Sequence, residues 1–279
     1  MLFDSHAHFS GDPVEADDWL ARADAAGVGG ILAVGGSIDG NRAALATARR
    51  FPGRVWAAAG YDRDHAPRDS ADTQAIDRLI SDLDETIRLA HDEPASWVAI
   101  GEIGLDFHYH PETAASQGTL FRLQLEQARA FGLPVIVHSR NAEKETLATL
   151  ARHADAWDGD ADRIGVVHCF TGSRIMAEAL TDMGYSLGFS GIATFPNADA
   201  LREIVPIVPE PRLLIETDSP YLAPVPMRGR RNEPAFVKHV AEAIATLRGR
   251  TTEAVAALST RNACRLFGLQ TGNPGQAPA

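Results

Sequence analysis

A chain of 279 residues with 45% apolar residues has ample material for a large buried core, and its composition favours neither disorder nor a fibrous fold. No apolar run approaches membrane-spanning length, no basic segment precedes an apolar one at the N-terminus, and Cys169 and Cys264 are too few for a disulfide framework, so a cytoplasmic monomer without membrane contact is expected. The formal net charge of −11 argues against a broad electrostatic grip on duplex nucleic acid, yet it leaves room for a small anionic end-group where bound cations supply local positive charge.

Apolar, β-branched-rich runs recur along the chain at 2–3, 30–34, 55–59, 97–100, 135–137, 164–167, 185–189 and 213–215. Several lack polar alternation, as parallel strands buried on both faces do. Between them, apolar residues spaced three and four apart predict helices over 15–26, 41–51, 73–90, 117–131, 143–154, 174–183 and 199–205, followed by a helical region over 233–267. Such regular alternation predicts a (β/α)8 TIM-type barrel forming one domain over 1–270, with an open doubly wound sheet as the competing arrangement. Residues 271–279, rich in Gly, Pro and Ala, are expected to form a flexible tail.

Residues able to bind metal gather at the ends of these runs. His6 and His8 close the first. On a strand, side chains alternate faces and residues rise about 3.3 Å each, so an H-x-H pair turns both rings to one side; alone, the pair is equally consistent with two unrelated polar residues. Glu102 follows the fourth run, His138 the fifth, His168 the sixth and Asp218 the last. In a barrel these ends ring one face, where active sites sit. Four imidazoles and two carboxylates around one mouth form a metal-binding set.

The segments Asp4-Ser5-His6-Ala7-His8, Gly101-Glu102-Ile103-Gly104-Leu105-Asp106-Phe107, His138-Ser139-Arg140, His168-Cys169-Phe170-Thr171-Gly172 and Glu216-Thr217-Asp218-Ser219-Pro220-Tyr221-Leu222 resemble the signatures of the TatD-like metal-dependent DNase family. The resemblance continues through Arg228-Gly229-Arg230-Arg231-Asn232-Glu233-Pro234 to Asn262 and so spans nearly the whole chain. It implies that His6, His8 and Asp218 hold one divalent ion, that His138 and His168 hold a second, and that Glu102 bridges the two. The ions could be Mg²⁺, Mn²⁺ or Zn²⁺. On this reading Asp218 also serves as the base that takes the proton of an attacking water, and the substrate is the end of a DNA strand or oligonucleotide.

Further candidates lie beside this set. Arg140 could fork onto a phosphate, and Arg228, Arg230 and Arg231 form either a cationic substrate loop or a solvated surface loop. His108, within His108-Tyr109-His110, could protonate a leaving oxygen, or a ring here could stack on a base. Glu216 reads as a buried partner of the metal ligands or as packing alone, and Cys169 as structural. One departure stands out: the family shows a Gly-x-His-Pro-His type stretch after the third strand, whereas this chain reads Gly60-Tyr61-Asp62-Arg63-Asp64-His65. With Asp62 where a His would face the site, substrate contacts change. A hydrolase of amide or aminoacyl-ester bonds on the same scaffold stays open as the alternative, with a non-catalytic metal-dependent binding protein behind it.

Overall fold

A computed structural model describes residues 1–90 and 97–269, so the expected tail over 271–279 lies outside the described residues. Eight strands alternate with helices: β1 (Leu2–Ala7), α1 (Pro13–Ala25), β2 (Val28–Gly36), α2 (Ile38–Arg50), β3 (Val55–Tyr61), α3 (Thr73–Leu89), β4 (Trp97–Asp106), α4 (Ala114–Phe131), β5 (Val135–Arg140), α5 (Glu143–Asp155), β6 (Gly165–Val167), α6 (Arg174–Asp182), β7 (Ser186–Phe189), α7 (Asp199–Ile204) and β8 (Leu213–Ile215), then α8 (Val237–Arg248) and α9 (Thr252–Phe267). The strands pair in sequence order, every pairing parallel. A bridge between Ala7 and Ser219 joins the last strand's extension to the first, with His8 N–H donating to the Ser219 carbonyl at 2.7 Å and Asp218 N–H to that of His6 at 2.9 Å. This is the (β/α)8 barrel that the alternation predicts.

Two strands run further than their apolar runs suggest. β4 and β5 stay in register through Gly104–His138 and Asp106–Arg140, which places Glu102 and His138 inside the strands rather than just past them. Polar side chains at the mouth do not end the ladder, because backbone pairing continues beneath them. The register breaks between Ile100 and Ile103, the kind of irregularity that re-aims a side chain. Gly101 permits the close approach: a Cβ there would lie 2.5 Å from Ile136 Cβ. The expected C-terminal helical region divides at Gly249, whose φ of 61° ends α8 in a left-handed cap.

The core fills both the barrel and the space between strands and helices. Phe3, Leu32, Ala58, Ala99, Ile136, Val166 and Leu214 form one apolar cluster with Ala263, Leu266 and Phe267 of α9. That helix closes the N-terminal end of the barrel, where Asn262 donates to the Leu213 carbonyl at 2.9 Å and Thr260 to that of Met1 at 3.1 Å. The opposite end is thereby left to the site. No helix among the described residues is long and apolar enough to cross a membrane.

A buried imidazole gives the fold a pH dependence. His153 of α5 hydrogen-bonds Tyr185 Oη at 2.6 Å, and burial, aided by the charge of Arg129, pushes its pKa down to about 4. The folded value lies below the unfolded one, so the unfolded chain binds the extra proton and stability falls as pH drops from about 6.5 to 4. Across that window the contribution is about 3 kcal/mol at most. Replacing the ring by one that cannot titrate, His153→Phe, is expected to flatten this part of the dependence in thermal unfolding at pH 7 and pH 5; equal slopes for both proteins would refute it.

Candidate metal centre

The mouth of the barrel is a cleft of about 700 Å³ lined by His8, Glu102, His138, His168 and Asp218, among others. β1 carries His6 fully buried, with His8 just beyond it, and the two Nε2 atoms approach to 3.1 Å. A carbonyl can only accept, so His8 Nδ1, 3.0 Å from the Val34 oxygen, carries the proton and Nε2 is left to face the cleft. His6 Nε2 lies 3.5 Å from Glu102 Oε2 and 3.8 Å from Asp218 Oδ1; His8 Nε2 lies 3.5 and 3.6 Å from the same two oxygens.

The other oxygen of Glu102 faces the opposite side. Oε1 lies 3.4 Å from His138 Nδ1 and 3.7 Å from His168 Nε2. Asp106, on β4, holds His138 in place: its Oδ2 takes a hydrogen bond from Nε2 at 3.1 Å, which leaves Nδ1 for the cleft. Burial opposes ionisation of Asp106, yet this bond and the backbone N–H groups of His108 and Tyr109 hold its pKa below the ordinary carboxylate range.

Three sets of ligand atoms each lie within 4.8 Å of one another: His6, His8 and Asp218; Glu102, His138 and His168; and His6, His168 and Glu216. The donor chemistry fits metal ions. His6 and His168 stack at 3.9 Å between ring centroids, while His6 Nδ1 and both nitrogens of His168 are buried without a hydrogen-bond partner. Buried polar atoms are seldom left this way, and a cation among them would relieve the lone-pair crowding. The charge balance agrees. Burial alone would lower the pKa of His8 and of His168, but Asp218 and Glu102 raise the first to about 10, and Glu102 and Glu216 raise the second to about 10. Glu102 itself is held far below the usual range by the surrounding imidazoles against its burial. Positive charge is stabilised at both positions.

The surroundings are equally ordered. Glu216 is fully buried in the barrel, accepting from Cys169 N–H and from Ser5 Oγ, with Oε1 3.7 Å from His168 Nδ1. Gly188 makes room for it, since a Cβ there would meet Glu216 Oε2 at 2.4 Å. Asp4, whose pKa burial raises to about 8, ties β1 to the end of β8 by accepting from Thr217 N at 2.8 Å and Thr217 Oγ1 at 2.6 Å. Burial, then the charges of Asp218 and Glu216, push the Cys169 thiol well above its ordinary range and keep it protonated, in keeping with a structural role.

The remaining candidates separate. Arg140 lines the cleft and lies over the Tyr109 ring at 4.7 Å. Tyr109, rather than His108, lines the cleft; His108 is exposed and reaches Asp106 only through its backbone N–H. Arg228 lies over Phe195 at 3.9 Å, Arg230 is exposed, and Arg231 turns to Glu15 and Trp19 in a separate groove. None of these three lines the mouth. Asp62 reaches the cleft, but its Oδ1 accepts from Asp64 N–H at 2.9 Å and lies 3.0 Å from His65 Nδ1. The next residue, Arg63, points inward, with Nη1 2.8 Å from Glu102 Oε1.

A (β/α)8 barrel that gathers histidines and carboxylates at the C-terminal ends of its strands is the framework of a metal-dependent hydrolase. The family model described as TatD related DNase matches residues 3–268, and the chain belongs to that family. The metal-dependent hydrolase YcfH of Escherichia coli K12, itself described as uncharacterized, is 40% identical over 272 residues, covering 96% of both chains. A Salmonella typhimurium protein named 3'-5' ssDNA/RNA exonuclease TatD is 38% identical over 258 residues, covering 91% of this chain and 93% of its own. Among solved structures, the TatD homologue YjjV of Escherichia coli K12 superposes with a TM-score of 0.81 at 30% identity, covering 96% of this chain and 98% of its own.

Proposed function

We propose that the protein hydrolyses phosphodiester bonds at the ends of DNA or oligonucleotide strands, using two divalent ions, Mg²⁺, Mn²⁺ or Zn²⁺. The observation that carries this reading is the division of Glu102, with Oε2 3.5 Å from both His6 and His8 and Oε1 3.4 and 3.7 Å from His138 and His168. His6, His8 and Asp218 would hold one ion, His138 and His168 the other, and Glu102 would join them. When bound, such a pair lowers the pKa of water and offsets charge on the phosphoryl oxygens.

The protein's own groups supply the rest of the reaction. Asp218 accepts a proton as the water oxygen bonds to phosphorus, and the leaving oxygen takes up a proton from solvent in the open cleft as its bond to phosphorus breaks. Asp106 holds the His138 ring through its 3.1 Å hydrogen bond, so that Nδ1 stays directed at the cleft. Arg140 offers a fork of donors to the phosphate oxygens. Tyr221, 61% exposed, gives an open ring on which an unpaired base can stack, worth about 1–3 kcal/mol. The exonuclease name of the Salmonella relative supports the same reading.

Few cations line the mouth, so binding should involve about two to four phosphates and give a salt slope of roughly −1.4 to −2.8 on single strands. The test is incubation of the metal-loaded protein with 3′- and 5′-labelled single- and double-stranded oligonucleotides, with cleavage lost on chelation and restored by one of the three ions. A much steeper slope would count against end recognition. Turnover of amide or aminoacyl-ester substrates, with none of oligonucleotides, would favour the alternative hydrolase, and metal binding without any turnover would favour a binding protein.

A further inference from the structure

Asp62 stands where the family's histidine would face the site, and its carboxylate is taken up by its own turn through Asp64 N–H and His65. The 3-10 turn over Arg63–His65 that it caps delivers the following side chain to the centre instead. Arg63 Nη1 rests 2.8 Å from Glu102 Oε1, the oxygen turned toward His138 and His168. Its side chain is 20% exposed and lines the cleft, and Nε, buried with no hydrogen-bond partner, lies 3.5 Å from Asp64 Oδ1. Arg63 follows β3, Glu102 lies on β4, and Arg140 ends β5 over the Tyr109 ring, so the two arginines line the same cleft from the strands on either side of β4.

We propose that Arg63 is a substrate-binding residue that, with Arg140, grips the charged oxygens of the phosphoryl group, a specificity element this chain has in place of the histidine. This rests on the phosphodiester reading above. An Arg–carboxylate contact alone could serve to hold Glu102. However, that oxygen already faces two imidazoles, and an arginine, always charged and with five donors in a fixed fork, matches a phosphate better than a single carboxylate oxygen. The assignment also gives the site a direction. The phosphate lies on the His138–His168 side and the attacking water on the Asp218 side, whereas a neutral ester or amide would bring no charged oxygens for either guanidinium to grip.

The test is a binding cycle on metal-loaded protein. Fluorescence anisotropy compares an uncleavable oligonucleotide carrying a charged phosphorothioate at its terminal linkage with one carrying a neutral methylphosphonate there, for wild type, Arg63→Lys and Arg63→Gln. Metal content and thermal unfolding are measured alongside. Wild type should prefer the charged strand by roughly tenfold or more, Arg63→Gln should lose a large part of that preference with its metal retained, and Arg63→Lys should fall between. If Arg63→Gln keeps the full preference for the charged strand, or loses affinity only in proportion to lost metal, the assignment to Arg63 fails while the phosphodiester reading stands. A wild type that binds neither strand and cleaves only neutral esters overturns both.

Discussion

Asp218→Asn should lower turnover by roughly 10²- to 10⁴-fold while most of the metal stays bound. The side chain is held by its backbone as much as by its ligands. Asp218 adopts a left-handed conformation with φ of 59°, its N–H donates to the His6 carbonyl at 2.9 Å, and its own carbonyl accepts from Tyr221 N–H at 2.9 Å. Asparagine tolerates that conformation as aspartate does, so the substitution preserves the turn and keeps an oxygen near His6 and His8. What it removes is a charge and a proton acceptor. Burial disfavours the Asp218 carboxylate, but the neighbouring His8, 3.6 Å away, and the charges of His6 and His168 lower its pKa and keep it ionised and able to accept a proton. Measuring kcat and metal content on the same preparation separates the two roles. Unaltered turnover would refute the assignment to Asp218, and a loss that merely follows the metal would reduce the residue to a ligand.

The barrel and its six candidate ligands are legible in the sequence because both follow from local pattern. Unbroken apolar runs mark buried parallel strands, and the next polar residue marks a strand end on the face where sites form. What escapes such reading depends on side-chain direction and on distant contacts. Glu102 sits within β4 because the ladder to β5 persists through a register break that no hydropathy pattern records. Asp4 meets Thr217 across 213 positions, a contact that only barrel closure creates. Asp106 orients His138 from the adjacent strand; its place four residues after Glu102, and so on the same strand face, was the available signal. At Asp62 the missing histidine pointed to altered substrate contacts, but the inward group is Arg63, because a short 3-10 turn rather than strand alternation sets the direction there. His108 and Tyr109 trade places for the same reason, the chain bending at the strand end so that the tyrosine takes the cleft.

Replacing His6 and His8 together by alanine is expected to reduce bound metal from about two ions per chain to about one and to abolish hydrolysis, because both metals are needed for the in-line displacement. The partition follows from the distances. Each of these imidazoles lies 3.5 Å from Glu102 Oε2, while His138 and His168 lie 3.4 and 3.7 Å from Oε1. Glu102, Asp106 and the second pair of rings are left in place, so that position should retain its ion, weakened by loss of the neighbouring one. Glu102→Ala makes the contrast, since one side chain there serves both positions and its removal should deplete both. His6 stacks on His168, and the double substitution opens space beside that ring; the order of the barrel is therefore checked by circular dichroism before metal is counted. Elemental analysis then decides. If the double variant keeps all of its metal, His6 and His8 are not ligands; if it loses all of it while folded, the two positions do not bind separately, and the division of Glu102 between them is wrong.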